Sequence, residues 1–195
     1  MKKVLFFLLL MTAVIGRAQT SLDLLPVGTV APDFTVTNSK TGEKIFQLSD
    51  CKNKTSKDGQ AVAGVWTVLD FWASWCPDCR RDMPMVKEIF EKYNTKIQLV
   101  GVSFDTDEAR MKKYLADNNY TWLQYCEFKK WKETKISKDY HISWIPTSYL
   151  IDPDGKVYFS TVKAEEMMQK LDSLDKEGKD RKSTRLNSSH GYISY

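Results

Sequence analysis

The feature that most restricts this chain is an apolar run at residues 65–71 that passes through a short turn directly into a helical pattern. A run so short and so apolar suits a strand buried on both faces. Across residues 82–93, Met85, Val86, Ile89, Phe90 and Tyr93 recur at helical spacing and mark one buried face. The same alternation continues downstream. A strand is expected over 97–104, a helix over 107–118, a strand over 121–125 and a short helix over 133–141. A strand at 148–151, a turn at Asp152-Pro153-Asp154-Gly155 and a strand at 156–160 form a hairpin. A helix over 164–174, carrying Met167, Met168, Leu171 and Leu174, closes the pattern. Upstream, residues 34–37 and 44–48 read as a separate hairpin, and the polar residues 51–64 as a surface loop. Strands alternating with helices predict an α/β fold around a mixed sheet.

The two ends stand apart from this pattern. Lys2 and Lys3 precede an apolar run of about a dozen residues, followed by Gly16-Arg17-Ala18 with small residues suited to a cleavage site. Residues 1–18 are therefore expected to be a signal peptide. The run is shorter than the roughly 20 residues a spanning helix needs, although an uncleaved segment would anchor the protein instead. Residues 180–190, DRKSTRLNSSH, are what a common sequencing-library adaptor would encode, so 180–195 is expected to be a non-native tail. One domain is then expected over 19–179. The chain carries +4 overall, but Lys2, Lys3 and Arg17 contribute +3 and the tail's Asp180, Arg181, Lys182 and Arg185 contribute +2, leaving residues 19–179 at −1. The basicity belongs to the ends, and no nucleic-acid partner is implied.

All four cysteines, Cys51, Cys76, Cys79 and Cys126, lie in that domain, and export would place them where disulfides can form. Disulfide exchange needs a nucleophilic thiolate, a second thiol to attack the mixed disulfide, and access. A C-x-x-C pair at a strand-to-helix junction supplies these. Unpaired N–H groups at the helix N-terminus favour the anion of Cys76, and two intervening residues bring Cys79 within disulfide reach. Cys76 is the expected attacking thiol, open to a visiting substrate, and Cys79 the resolving one. Asp78 opposes the anion, while Arg80 and Arg81 offset it. A structural zinc site would need four ligands, and no second close pair exists, so neither metal nor cofactor is expected.

The segment Asp70-Phe71-Trp72-Ala73-Ser74-Trp75-Cys76-Pro77-Asp78-Cys79, with Pro84 in the following helix, resembles the active-site segment of the thioredoxin-like superfamily. Ile145-Pro146-Thr147 resembles its cis-proline loop. The signal peptide, the opening Ala31-Pro32-Asp33-Phe34 and the long stretch between the motifs are similar to the exported TlpA/ResA-like branch. The resemblance spans about residues 25–174. It implies a thioredoxin fold with an N-terminal β-hairpin extension and a helix–strand insertion before the cis-proline loop. It further implies that Asp70 accepts the resolving proton, that Pro146 packs against the disulfide, and that the Ile145 backbone pairs with an extended substrate. Trp75, Pro77 and Trp144 would complete the substrate-binding rim. Disulfide-containing proteins are the implied substrates and a membrane electron donor the implied partner, with a monomeric protein in the periplasm. Ile145-Pro146-Thr147 matches reductive members more than oxidative ones. The dipeptide Pro77-Asp78 departs from the Gly-Pro of thioredoxin, so no potential transfers.

Other residues have plainer expectations. Cys51 and Cys126 should lie at opposite ends of the sheet, beyond the roughly 7 Å Cα limit for a bridge. Cys126 falls on the active-site edge and is a candidate third redox group. Trp72 is expected in the core, Trp122 and Trp131 in the core or covering it, His141 as a helix cap, and Asp105 or Asp107 as a helix N-cap. Three rival functions remain. A peroxiredoxin-like peroxidase would need Thr where Ala73 stands, and a copper chaperone would favour C-x-x-x-C with a placed His. A non-catalytic binding module would leave both thiols idle.

Overall fold

The computed structural model describes residues 22–189 apart from 39 and 56–58, with no account of the side chains of 54 and 179–189. The expected signal peptide, and residues 190–195 of the expected tail, lie outside the described residues. The apolar run becomes β5 (Trp66–Trp72), whose last six residues are buried. It is the middle strand of a five-stranded sheet ordered β7-β6-β5-β8-β9. β6 (Ile97–Ser103) and β7 (Leu123–Cys126) run parallel to it, joined through α1 (Pro77–Tyr93) and α2 (Glu108–Asp117). β8 (Thr147–Ile151) runs antiparallel to β5 and β9 (Val157–Thr161) antiparallel to β8, and α3 (Lys135–Asp139) precedes them. The α2–β7 pair is the expected helix–strand insertion, and it adds the outer edge of the sheet beyond β6. Among the described residues no helix is long and apolar enough to cross a membrane.

Alternation along β5 sends neighbouring residues to opposite faces. On one face Phe71 packs against Phe104, Tyr140 and Tyr149, at centroid distances of 6.0, 5.3 and 6.0 Å. Trp72, on the other, lies 5.8 Å from Tyr114 of α2. Helix α1 buries Cys79, Met83, Val86, Ile89 and Tyr93 along one stripe. Full burial of each of the larger apolar side chains is worth about 1.5–3 kcal/mol. Pro84 has no N–H to donate inside this helix, a cost its neighbours' packing offsets.

The N-terminal hairpin forms as expected from β1 (Thr35–Thr37) and β2 (Lys44–Gln47). The lead-in is pinned by the Tyr149 hydroxyl, which accepts the Leu25 N–H at 3.1 Å and donates to the Tyr140 carbonyl at 2.8 Å. Three expectations need correction. Residues 51–64 are not simply a loop, because β3 (Lys54–Thr55) and β4 (Ala61–Val62) pair antiparallel within them. The 133–141 helix contracts to α3, since Thr134 caps it through the Ser137 N–H and turns the preceding Trp131–Glu133 into a separate 3-10 turn. The final helix, α4 (Ala164–Ser189), continues far beyond 174. No proline interrupts that stretch, and its Lys, Glu, Asp and Leu content favours or tolerates helix.

Candidate active site

At the C-terminal end of β5 the chain turns through Ala73-Ser74-Trp75, closed by the Cys76 N–H donating to the Ala73 carbonyl at 3.1 Å. Cys76 is then the N-cap of α1, with Pro77 at its first position. The Cys79 N–H donates to Cys76 Sγ at 3.2 Å, so a helix amide faces the sulfur. The Cys76 thiol itself lies 3.7 Å from the Ile145 carbonyl oxygen, toward which it donates. The Ile145–Pro146 peptide is cis. The two sequence-distant motifs therefore meet at one sulfur.

Cys76 was expected to be open, and it is only 6% exposed. The cis-proline loop, in contact through Ile145, covers it. Trp75 and Trp144 stand 44% and 50% exposed. Pro77 is also exposed, while Ile145 and Pro146 are buried. Asp78 is paired with Arg81 at 2.8 Å, and the Arg80 guanidinium lies over the Tyr114 ring at 5.5 Å.

Cys79 is 1% exposed, and its thiol pKa is pushed far up. Burial is the main cause, joined by the hydrogen bond to Cys76 and the nearby Cys76 and Asp70 charges. Such a thiol needs a base. Asp70 is buried, with its carboxyl pKa raised to about 7, chiefly by burial and further by the negative charge of Asp82. A hydrogen bond from Ser148 Oγ at 2.9 Å acts in the opposite sense. Ser148 stands directly across the β5–β8 ladder from Asp70. Asp70, Cys79, Asp82, Pro146 and Ser148 line one narrow cleft, too tight for a water molecule. Asp82 is anchored in it by the Ala164 N–H, which donates at 3.1 Å.

Sequence reasoning missed Asp82, although a signal existed. It lies three residues after Cys79 on a helix and so shares its side. Ser148 could be found only once β8 was known to lie against β5. Of the two candidate caps for α2, one takes that place. Asp107, not Asp105, caps α2, by accepting the Arg110 N–H at 3.0 Å. Asp105 is instead a buried carboxylate, 1% exposed. His141 ends α3 with a left-handed φ of 52° and lies 3.6 Å from Asp23. Cys51 and Cys126 lie at opposite ends of the sheet. The Cys51 carbonyl accepts the Val65 N–H at the start of β5, whereas Cys126 pairs with Ser103 at the end of β6.

A paired dithiol at the head of the helix that follows the central strand, set on this sheet, defines a thiol-disulfide oxidoreductase of thioredoxin fold. The family model described as thioredoxin-like matches residues 64–157. The chain is 34% identical over 134 residues to the thiol-disulfide oxidoreductase ResA of Bacillus cereus, covering 68% of each chain. Among solved structures it is similar to the C-terminal domain of a thiol-disulfide oxidoreductase from Bacteroides thetaiotaomicron. That match has 28% identity and a TM-score of 0.63, covering 78% of this chain and 97% of the other. It is also similar to a thiol:disulfide interchange protein DsbE from Chlorobium tepidum, at 30% identity and a TM-score of 0.61, covering 76% and 97%. The chain belongs to the ResA-like family of thioredoxin-fold thiol-disulfide oxidoreductases, and its chemistry is thiol-disulfide exchange.

Proposed function

We propose that the chain is a reductant of protein disulfides in the cell envelope, with Cys76 attacking, Cys79 resolving and Asp70 accepting the resolving proton. Cys76 thiolate attacks one sulfur of a substrate disulfide. A mixed disulfide forms, and the other substrate sulfur leaves as a thiolate. Asp70 takes the proton from Cys79, whose thiolate attacks Cys76 Sγ and releases the second substrate sulfur. Two electrons pass to the substrate, and a Cys76–Cys79 disulfide remains. A membrane dithiol donor restores the pair by the same exchange in reverse, taking the disulfide onto itself.

The observation that carries this reading is the opposed state of the two buried groups in one cleft. Cys79 holds its proton too tightly to react unaided, and Asp70, poised near neutrality, is suited to receive it. The exposed Trp75 and Trp144, which adjoin Cys76 and Ile145 in the chain, suit an extended polypeptide pairing with the Ile145 backbone. Envelope location rests on the signal-peptide pattern and on the kinship with ResA and DsbE, and a monomer is the simplest state for this cycle.

Cys76→Ser is expected to abolish reduction of insulin disulfides by the chain with dithiothreitol as the electron source. Cys79→Ser should trap a mixed disulfide with substrate. Full activity retained in Cys76→Ser would overturn the assignment. A strongly oxidising Cys76–Cys79 couple in a glutathione titration would reverse the direction.

A further inference from the structure

We propose that Asp105 is a positioning residue for Cys76, its carboxylate holding, through Ser74, the turn that delivers the attacking sulfur to the head of α1. This rests on the exchange chemistry proposed above. The carboxylate faces three donors. Oδ2 accepts the Ser74 N–H at 2.9 Å and the Ser103 hydroxyl at 2.7 Å, while Oδ1 accepts the Ser74 hydroxyl at 2.6 Å. Ser74 is the second residue of the turn closed between Ala73 and Cys76. Both of its donors end on one carboxylate, so the turn cannot rotate about Ser74 without losing both bonds.

Beyond the buried Ala73 and the bond that closes the turn, the Ser74 contacts are what fix its middle residue. Its bulky residue, Trp75, projects into solvent, 44% exposed. Asp105, by contrast, is held from two strands. Its own N–H donates to Ser103 Oγ at 3.0 Å at the end of β6. Its carbonyl accepts the Cys126 thiol at 3.2 Å at the end of β7. A buried carboxylate is expensive compared with an apolar side chain of similar volume, and conformational specificity is one use that offsets such a cost. The thing specified here is where Cys76 Sγ lies, 3.2 Å from the Cys79 amide and 3.7 Å from the Ile145 carbonyl.

The test compares the full chain with Asp105→Asn, Ser74→Ala and the double variant. The reduced proteins react with oxidised glutathione between pH 5 and 9, and the quenched products are mapped by mass spectrometry. Two quantities are read, the rate of glutathionylation at Cys76 and the equilibrium between the Cys76–Cys79 dithiol and its disulfide. Asparagine replaces one acceptor oxygen with a donor and leaves a Ser74 or Ser103 group without its partner. Asp105→Asn, folded by circular dichroism, is expected to slow the Cys76 reaction about tenfold and to move the dithiol equilibrium. Ser74→Ala should slow it less, and the double variant should be no slower than Asp105→Asn, because the two act through one contact. Wild-type rates and equilibrium in a folded Asp105→Asn would overturn the proposal. If that variant does not fold, wild-type values in Ser74→Ala would do the same. Neither readout uses a protein disulfide, so failure of the wild type to reduce insulin would overturn the proposed function and leave this result legible.

Discussion

In the proposed cycle Asp70 is the residue at which stability and chemistry oppose each other. Its carboxyl pKa is about 7 in the fold against an ordinary 3.8, so between those values the folded protein binds a proton that the unfolded chain has lost. Stability therefore falls as pH rises from about 4 to about 7 and stays low above, by up to about 4 kcal/mol from this group alone. Asp70→Asn removes the buried charge and can keep the Ser148 hydrogen bond. It is expected to raise unfolding free energy in urea at pH 8 by about 2–4 kcal/mol. The same variant should lower disulfide-reduction kcat about 10- to 100-fold and erase the inflection near pH 7 in its pH profile. A variant both less stable and fully active would contradict the role. Asp70 could be found in the sequence because it belongs to a contiguous segment with Cys76 and Cys79. Ser148 and Asp82, which adjust it, could not be linked to it in the same way. One depends on the β5–β8 ladder, and the other on the face α1 turns to the sheet.

At the scale of elements, β6 shows how one strand's composition serves its neighbours. Gly101 stands opposite Gln124 of β7, and a Cβ there would meet Gln124 Oε1 at 2.2 Å. The bare backbone lets Gln124 reach across β6, where its Oε1 accepts the Trp72 indole N–H at 3.0 Å. Trp72 is wholly buried immediately before the site turn, so its indole N–H needs that acceptor. Gly101→Ala is expected to displace Gln124, leave the indole unpaired and cost about 1–3 kcal/mol in urea unfolding. Wild-type stability would show that Gln124 can move aside without loss. The β3–β4 hairpin escaped sequence reading because two-residue strands carry no alternation long enough to detect. The true N-cap of α2 was ambiguous because Asp105 and Asp107 offer the same carboxylate at nearly the same place.

At the scale of the whole molecule, the site is a rim as well as a pair of sulfurs. Trp75 and Trp144 come from segments about seventy residues apart and both stand exposed, one adjoining Cys76 in the chain and the other adjoining Ile145, whose carbonyl meets the Cys76 sulfur. A protein substrate can cover both rings at once, whereas a small disulfide cannot. Trp144→Ala is expected to raise KM for insulin about five- to tenfold, with a smaller effect on reduction of a small aromatic disulfide. Equal effects on both substrates would assign Trp144 to packing rather than docking. The near-neutral balance of residues 19–179 gives no reason for long-range steering, which leaves short-range contact as the basis of the proposed recognition.

Contiguous information was enough for much of this protein. The order of strands and helices and the dithiol at a strand-to-helix junction are local patterns, set by periodicity and spacing that one sequence displays, and the acid six residues before the dithiol was marked by the segment's resemblance to a known family. The tertiary structure alone decided which distant groups share a volume. It covered Cys76 with the Ile145–Pro146 loop, faced Asp82 and Ser148 toward Asp70, and turned Asp105 from a candidate helix cap into the anchor of the turn before Cys76. Burial and strand register set these relations. Both arise only when the sheet closes, because a side chain's neighbours across a ladder or a cleft leave no periodic mark along the chain.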